Sequence, residues 1–170
     1  MADNEVRTVL VTGLKNAHAM ENQALSIMKP QLSRIENYPE IAAKLDEHIR
    51  ETEGQIKRLE EVLEGLAEDH SSLKDMALSL TGTMAALSHT VAGDEILKNS
   101  FANFAFENFE IAAYRSLITV ADYAGLPALV RPLKANLDEE VAMAKWLEEN
   151  LGSVTTKYLA LRESGSTAKV

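Results

Sequence analysis

Four glutamates, Glu21, Glu51, Glu110 and Glu140, each interrupt the apolar stripe of a different predicted helix. Burying an unpaired carboxylate costs several kcal/mol, so such a chain has to bring these groups to a cation. Few folds do that. Helices that point acidic side chains inward at similar depth form a bundle around a polar centre, and that pattern constrains this chain more than any other feature.

The helices themselves are marked by Pro and Gly, which punctuate four long stretches rich in Ala, Leu, Glu and Lys, all good helix formers. The first is expected from about Asn4 to about Arg34, with Leu10, Leu14, Ala17, Leu25 and Met28 at helical spacing and Pro30 placed to kink or end it. Tyr38 and Pro39 mark a turn, and Pro39 suits the first turn of a second helix reaching about Glu68. Its inner face reads Ile41, Leu45, His48, Thr52, Gln55 and Leu59. The third is expected between Gly93–Asp94 and Gly125. Its Phe101, Phe104, Phe106 and Phe109 cover so much of the circumference that it should be the most buried element. Pro127 opens the fourth, which Gly152 should stop near Leu151.

Between helices two and three lies a segment rich in Ser, Thr and Met, expected to hold a shorter helix from about Ser71 to Ser88 within a crossover. Long helices paired by short turns, with one longer connection in the middle, give an all-α, ferritin-like four-helix bundle with an additional short helix in that crossover. The expected domain is 1–160, followed by a flexible tail, 161–170, whose SGSTAKV sequence reads as frayed. A rival reading takes Val9, Leu10, Val11, Thr12 and Gly13 as the first strand of a dinucleotide-binding unit. Leu14 to Met28 lacks the further glycines that such a motif needs.

Composition narrows the chemistry. The chain has 170 residues and no cysteine, which excludes disulfides, thiolate zinc sites, iron–sulfur clusters and a cysteine nucleophile. Any metal has oxygen and nitrogen ligands. Asp and Glu number 26 against 17 Lys and Arg, for a net charge of -9, and the basic residues are scattered singly. Nucleic acid and anionic membranes are therefore not the expected partners. No apolar run approaches the roughly 18 residues of a membrane span, and no signal peptide is evident, so the expected location is cytoplasmic.

Spacing places the candidate ligands. Glu21 lies seven residues after Leu14 and seven before Met28; Glu140 lies seven after Leu133 and seven before Leu147. Glu107 and Glu110 are three apart in the apolar run Phe106–Tyr114. Glu51 follows His48 by three on one side of helix two, which makes His48 the best nitrogen ligand. Carboxylates from four helices, with an imidazole, suit one or two ions of iron or manganese, and zinc is compatible. Tyr114, four residues beyond Glu110, is either a hydrogen-bond donor to a ligand carboxylate or an aromatic core residue. His18 precedes Glu21 by three and is a weaker candidate; His70 and His89 have no carboxylate at suitable spacing.

The stretches His48-Ile-Arg-Glu-Thr-Glu-Gly-Gln-Ile-Lys-Arg-Leu-Glu60, Phe106-Glu-Asn-Phe-Glu-Ile-Ala-Ala-Tyr114, Ala19-Met-Glu-Asn-Gln23 and Leu137-Asp-Glu-Glu140 resemble the YciE/YciF family of ferritin-like proteins. The resemblance runs from about Val6 to Leu151. It implies a ferritin-like bundle with a di-metal centre, homodimers, an association with bacterial stress response, and no assigned reaction. It puts Glu21, Glu51, Glu107, Glu110 and Glu140 on acidic positions of the family pattern. The chain departs from that pattern at Asn108, where the family has His, and at Met76, where it has an acidic group. Gly54 and Met143 stand where a Glu-x-x-His pair would place imidazoles. The expectation is thus a metal-binding carboxylate protein with iron first among the ions. The alternative is a structural or interaction protein, a helical dimer whose metal site is incomplete or lost.

Overall fold

The computed structural model describes residues 2–66 and 92–170, of which 2–4 as backbone only. Among the described residues all regular structure is helical: α1 (Ala2–Leu32), α2 (Pro39–Gly65), α3 (Glu95–Tyr123) and α4 (Pro127–Glu163). The expected crossover helix, His70, His89 and Met76 lie outside the described residues. Pro39 and Pro127 occupy the first turns of α2 and α4, where a missing N–H costs nothing. Pro30 falls in the last turns of α1, which continues to Leu32.

Each helix buries one stripe. Leu10, Leu14, Ala17, Met20, Ala24 and Met28 of α1 meet Leu45, Ile49, Leu59 and Leu63 of α2, Tyr114 and Leu117 of α3, and Leu133, Met143 and Leu147 of α4 in one core. α1 packs on α2 and α3, and α4 packs on α3 and α2, closing a ring of four. Lys29 reaches Glu53 while Arg7 reaches Leu66, so α1 and α2 are antiparallel. Asn103 bonds Gln31 while Tyr114 bonds Glu21, so α1 and α3 are antiparallel as well. It follows that α2 and α3 run the same way, and that Leu66 and Ala92 sit at opposite ends of the bundle.

Two expectations are corrected. Gly152 does not end α4, which runs on to Glu163. Val154 beyond it is buried with Tyr38, Ile41 and Ile96 in a second cluster that Tyr158 and Leu161 also flank, and this burial outweighs the roughly 1 kcal/mol that Gly costs a helix. The stop is Gly165, at φ +74°. The tail is not frayed either: the Tyr38 hydroxyl donates to the Ala168 carbonyl at 2.7 Å, and the Asn37 and Ile96 N–H groups donate to the carbonyls of Val170 and Lys169. Ala168 is buried. α3 carries the largest share of buried residues of the four helices among the described residues, as expected, although Phe101 and Phe109 are about half exposed, at 51 % and 53 %. Four phenylalanines on a helix with three neighbouring surfaces at most leave some outside.

Gly13 belongs to no strand. It lies inside α1, and a Cβ there would stand 2.7 Å from Leu117 Cδ2, so the glycine serves the close approach of α3.

Candidate metal centre

At mid-height the apolar core gives way to a polar layer. Glu21, Glu107, Glu110, Glu140 and His48 are all at most 3 % exposed, each on the inner stripe that its spacing assigned. The layer is built by four helices at once: Glu21 from α1, His48 from α2, Glu107 and Glu110 from α3, Glu140 from α4.

Among the described residues one group has ligand geometry. Ligand atoms of His48, Glu107 and Glu140 all lie within 4.8 Å of one another. His48 Nε2 stands 3.3 Å from Glu107 Oε2 and 3.5 Å from Glu140 Oε2, while Nδ1 is 3.0 Å from Glu51 Oε2. Burial by itself would lower the His48 pKa. The surrounding carboxylates of Glu107, Glu140 and Glu51 outweigh it and push it up to about 12, so without a metal the ring is an imidazolium.

Glu51 is therefore placed apart from the others. Its side chain is 27 % exposed and it holds the far nitrogen of His48, the position of a carboxylate that orients a ligating imidazole. The close contact with His48 lowers its pKa against a smaller effect of burial.

One imidazolium does not balance four buried carboxyls. Burial first, then the charge of Glu140, raises Glu21 well above the usual carboxylate range; burial and the charges of Glu21 and Glu140 do the same to Glu110. Burial raises Glu107 to about 8 even against the His48 contact. Glu140 is the exception. Burial pushes it up, but contacts with His48 and Glu107 hold it below its ordinary value, so it carries the negative charge that faces the ring. Glu21 Oε2, Glu107 Oε2, Glu110 Oε1 and both oxygens of Glu140 are buried without a well-formed hydrogen bond, the two contacts to Nε2 being long and shared. Buried carboxylate oxygens rarely stay unpartnered.

Two residues around the centre, Asn136 and Arg58, were not singled out by spacing. Asn136, fully buried, bonds the Tyr114 hydroxyl through Nδ2 at 2.8 Å, and Tyr114 in turn donates to Glu21 Oε1 at 2.5 Å. Arg58 Nε donates to Asn136 Oδ1 at 2.6 Å, and its Nη2 pairs closely with Glu139. Asn136 lies three after Leu133 and four before Glu140, a stripe position that marks it as inward-facing. Arg58 carries no such mark. A Cβ on Gly54 would stand 3.6 Å from Arg58 Nη1, an ordinary van der Waals contact. Tyr114 is the hydrogen-bond donor as well as a core residue: burial and the Glu21 charge keep its phenol protonated. His18 is not at the centre; it pairs with Glu60 at 3.2 Å on the α1–α2 flank.

A bundle of four helices with a buried carboxylate–histidine layer defines the class. The chain belongs to the family described as a domain of unknown function (DUF892), whose model matches residues 5–160. Protein YciF of Escherichia coli K12 is 27 % identical over 145 residues, covering 81 % of this chain and 84 % of YciF. Solved structures agree: a Xanthomonas campestris protein superposes with a TM-score of 0.78 at 29 % identity over 94 % of this chain and 99 % of its own. The structure described as that of the E. coli stress protein YciF gives 0.71 at 24 % identity, over 86 % and 94 %. The family resemblance is thereby borne out. No helix among the described residues is long and apolar enough to cross a membrane.

Proposed function

We propose that this protein is a ferritin-like carboxylate protein that binds a divalent transition-metal ion, iron or manganese, at the centre of its bundle. The observation that carries the reading is the set of buried oxygens on Glu21, Glu107, Glu110 and Glu140 that no well-formed hydrogen bond satisfies. A dication resolves that deficit, because it displaces the protons that burial otherwise forces onto these groups.

The donor set fits such an ion. Carboxylate oxygens with one imidazole are hard-to-borderline ligands, suited to iron, manganese or zinc, and two antiparallel hairpins with α2 and α3 parallel give the arrangement in which ferritin-like bundles mount them. His48, Glu107 and Glu140 would hold the first ion, with Glu51 orienting the imidazole. Glu21 and Glu110 border Glu140 and offer oxygens to the same ion or to a second one. A bound ion supplies Lewis acidity, or one-electron chemistry if it is iron. The chain's own part is to position oxygens and exclude water; the reading includes no reaction.

One observation favours the second reading, a structural helical protein. The His48 imidazolium already stands against three carboxyl groups and supplies a partial internal counter-charge. Thermal melts of protein stripped of metal, with and without anaerobic Fe(II) or Mn(II), separate the two. Metal binding predicts stabilisation of about 2.7 kcal/mol at a hundredfold excess over Kd, with stoichiometric metal by elemental analysis. No bound metal and an unchanged Tm would leave the structural reading. A homodimer, a cytoplasmic location and a role in stress, which the family resemblance implies, belong to this proposal, and light scattering tests the first of them.

A further inference from the structure

Arg58, Asn136, Tyr114 and Glu21 come from α2, α4, α3 and α1 in turn, and three hydrogen bonds join them across the whole bundle. The chain has only one possible polarity. A guanidinium donates and never accepts, so the Asn136 atom at 2.6 Å from Arg58 Nε must be its carbonyl oxygen. With Oδ1 so committed, the Nδ2 group faces the Tyr114 hydroxyl, 2.8 Å away, and must donate to it. Among the described residues no other acceptor bonds the phenol, so its proton goes to Glu21 Oε1 at 2.5 Å, whether Glu21 is ionised or carries its own proton on Oε2. Glu21 Oε1 is thus engaged as an acceptor, while Oε2 is buried without a partner.

We propose that Arg58 is a positioning residue for the buried centre: through Asn136 and Tyr114 it fixes the direction of this chain and leaves Oε2 as the oxygen that Glu21 offers to a cation. The polarity argument stands on the hydrogen bonds alone. Its consequence for a cation rests on the metal-binding reading above. Arg58 is about a third exposed, at 30 % of its side chain, so the orientation of a fully buried carboxylate on α1 is set from the α2–α4 surface.

Two measurements test it. In metal-free protein the Tyr114 hydroxyl proton, shielded in a short bond, should give a slowly exchanging downfield NMR resonance that Tyr114→Phe removes. Arg58→Lys, which keeps a donor, should preserve it, and so should Glu139→Gln, which alters the ion pair but not the chain. Arg58→Met and Asn136→Asp should each shift or abolish it; an unchanged resonance in either folded variant overturns the proposal. If Arg58→Met does not fold, Asn136→Asp decides, because it replaces the Nδ2 donor with an acceptor at nearly constant shape.

The second measurement is Co(II) titration followed by visible absorption. Tyr114→Phe and Arg58→Met should each weaken Co(II) binding about tenfold, the scale for groups that orient metal ligands. Because they act in series, the double variant should bind no more weakly than Tyr114→Phe alone. Losses that multiply to about a hundredfold would refute the series. Failure of the parent protein to bind Co(II) would count against the metal reading, while the NMR experiment still decides the chain.

Discussion

His48 shows how one side chain can serve two states of the same site. Without metal it is the internal cation for Glu107 and Glu140; with metal its Nε2 faces the ion while Glu51 keeps Nδ1. Removing it from metal-free protein strands buried negative charge, which typically costs about 3–5 kcal/mol. His48→Gln should therefore lower urea stability by about 3 kcal/mol near neutral pH. The folded pKa of about 12 lies above the ordinary 6.5, so this contribution is complete below pH 6.5 and is lost as pH rises toward 12. The deficit of the variant should shrink over that range. A deficit that grows with pH would mean the imidazolium is not the stabilising form. The glutamates were legible because a carboxylate on an apolar stripe contradicts its neighbours. Arg58 was not, because nothing on its own helix marks a contact made with α4.

At the scale of the helix, local propensity and tertiary packing disagree at two glycines, with opposite outcomes. Gly152 lies inside α4 with open space where a Cβ would be, so Gly152→Ala should add about 0.5–1 kcal/mol from helix propensity alone. A Cβ at Gly13 would press within 2.7 Å of the buried Leu117, so Gly13→Val should cost about 1–3 kcal/mol from overpacking. Chemical denaturation of the two variants checks both signs. Sequence reading took Gly152 for a stop because the signal is real but weak. What overrides it is Val154 packing against Tyr38 and Ile96, residues far away in the chain. The Pro39 and Pro127 starts were legible since proline's preference for a first turn is local.

For the molecule as a whole, the end of the bundle is tied by Glu95, which has no exposed surface. Arg34 Nη2 lies 2.7 Å from its Oε1 and Lys169 Nζ 3.2 Å from its Oε2, so the end of α1, the start of α3 and the C-terminal tail meet at one carboxylate. Its cover is one layer of side chains, themselves 33 % and 40 % exposed. Burial raises its pKa, but bonds to Arg34 and Lys169 outweigh that and hold it below the ordinary 4.5. A depressed folded pKa contributes stability that is present above 4.5 and lost as pH falls through the folded value. Acid titration of unfolding should show this loss below about pH 4.5 in the parent and not in Glu95→Gln, with added salt reducing the difference. Equal acid sensitivity in the two proteins would remove the clasp from the stability of the fold.

Residue order is enough to make the chain helical, to say which faces turn inward, and to put Glu21, Glu107, Glu110, Glu140 and His48 on those faces. Helical periodicity and the burial cost of charge act through neighbours within a turn or two, so both are written locally. It takes the assembled bundle to turn one nitrogen of His48 to Glu107 and Glu140 and the other to Glu51, to link Arg58 to Glu21, and to bring the tail against the bundle end. Each of these depends on which helices become neighbours and at what height. That is set by the packing of the entire core, and no single stretch of residues contains it.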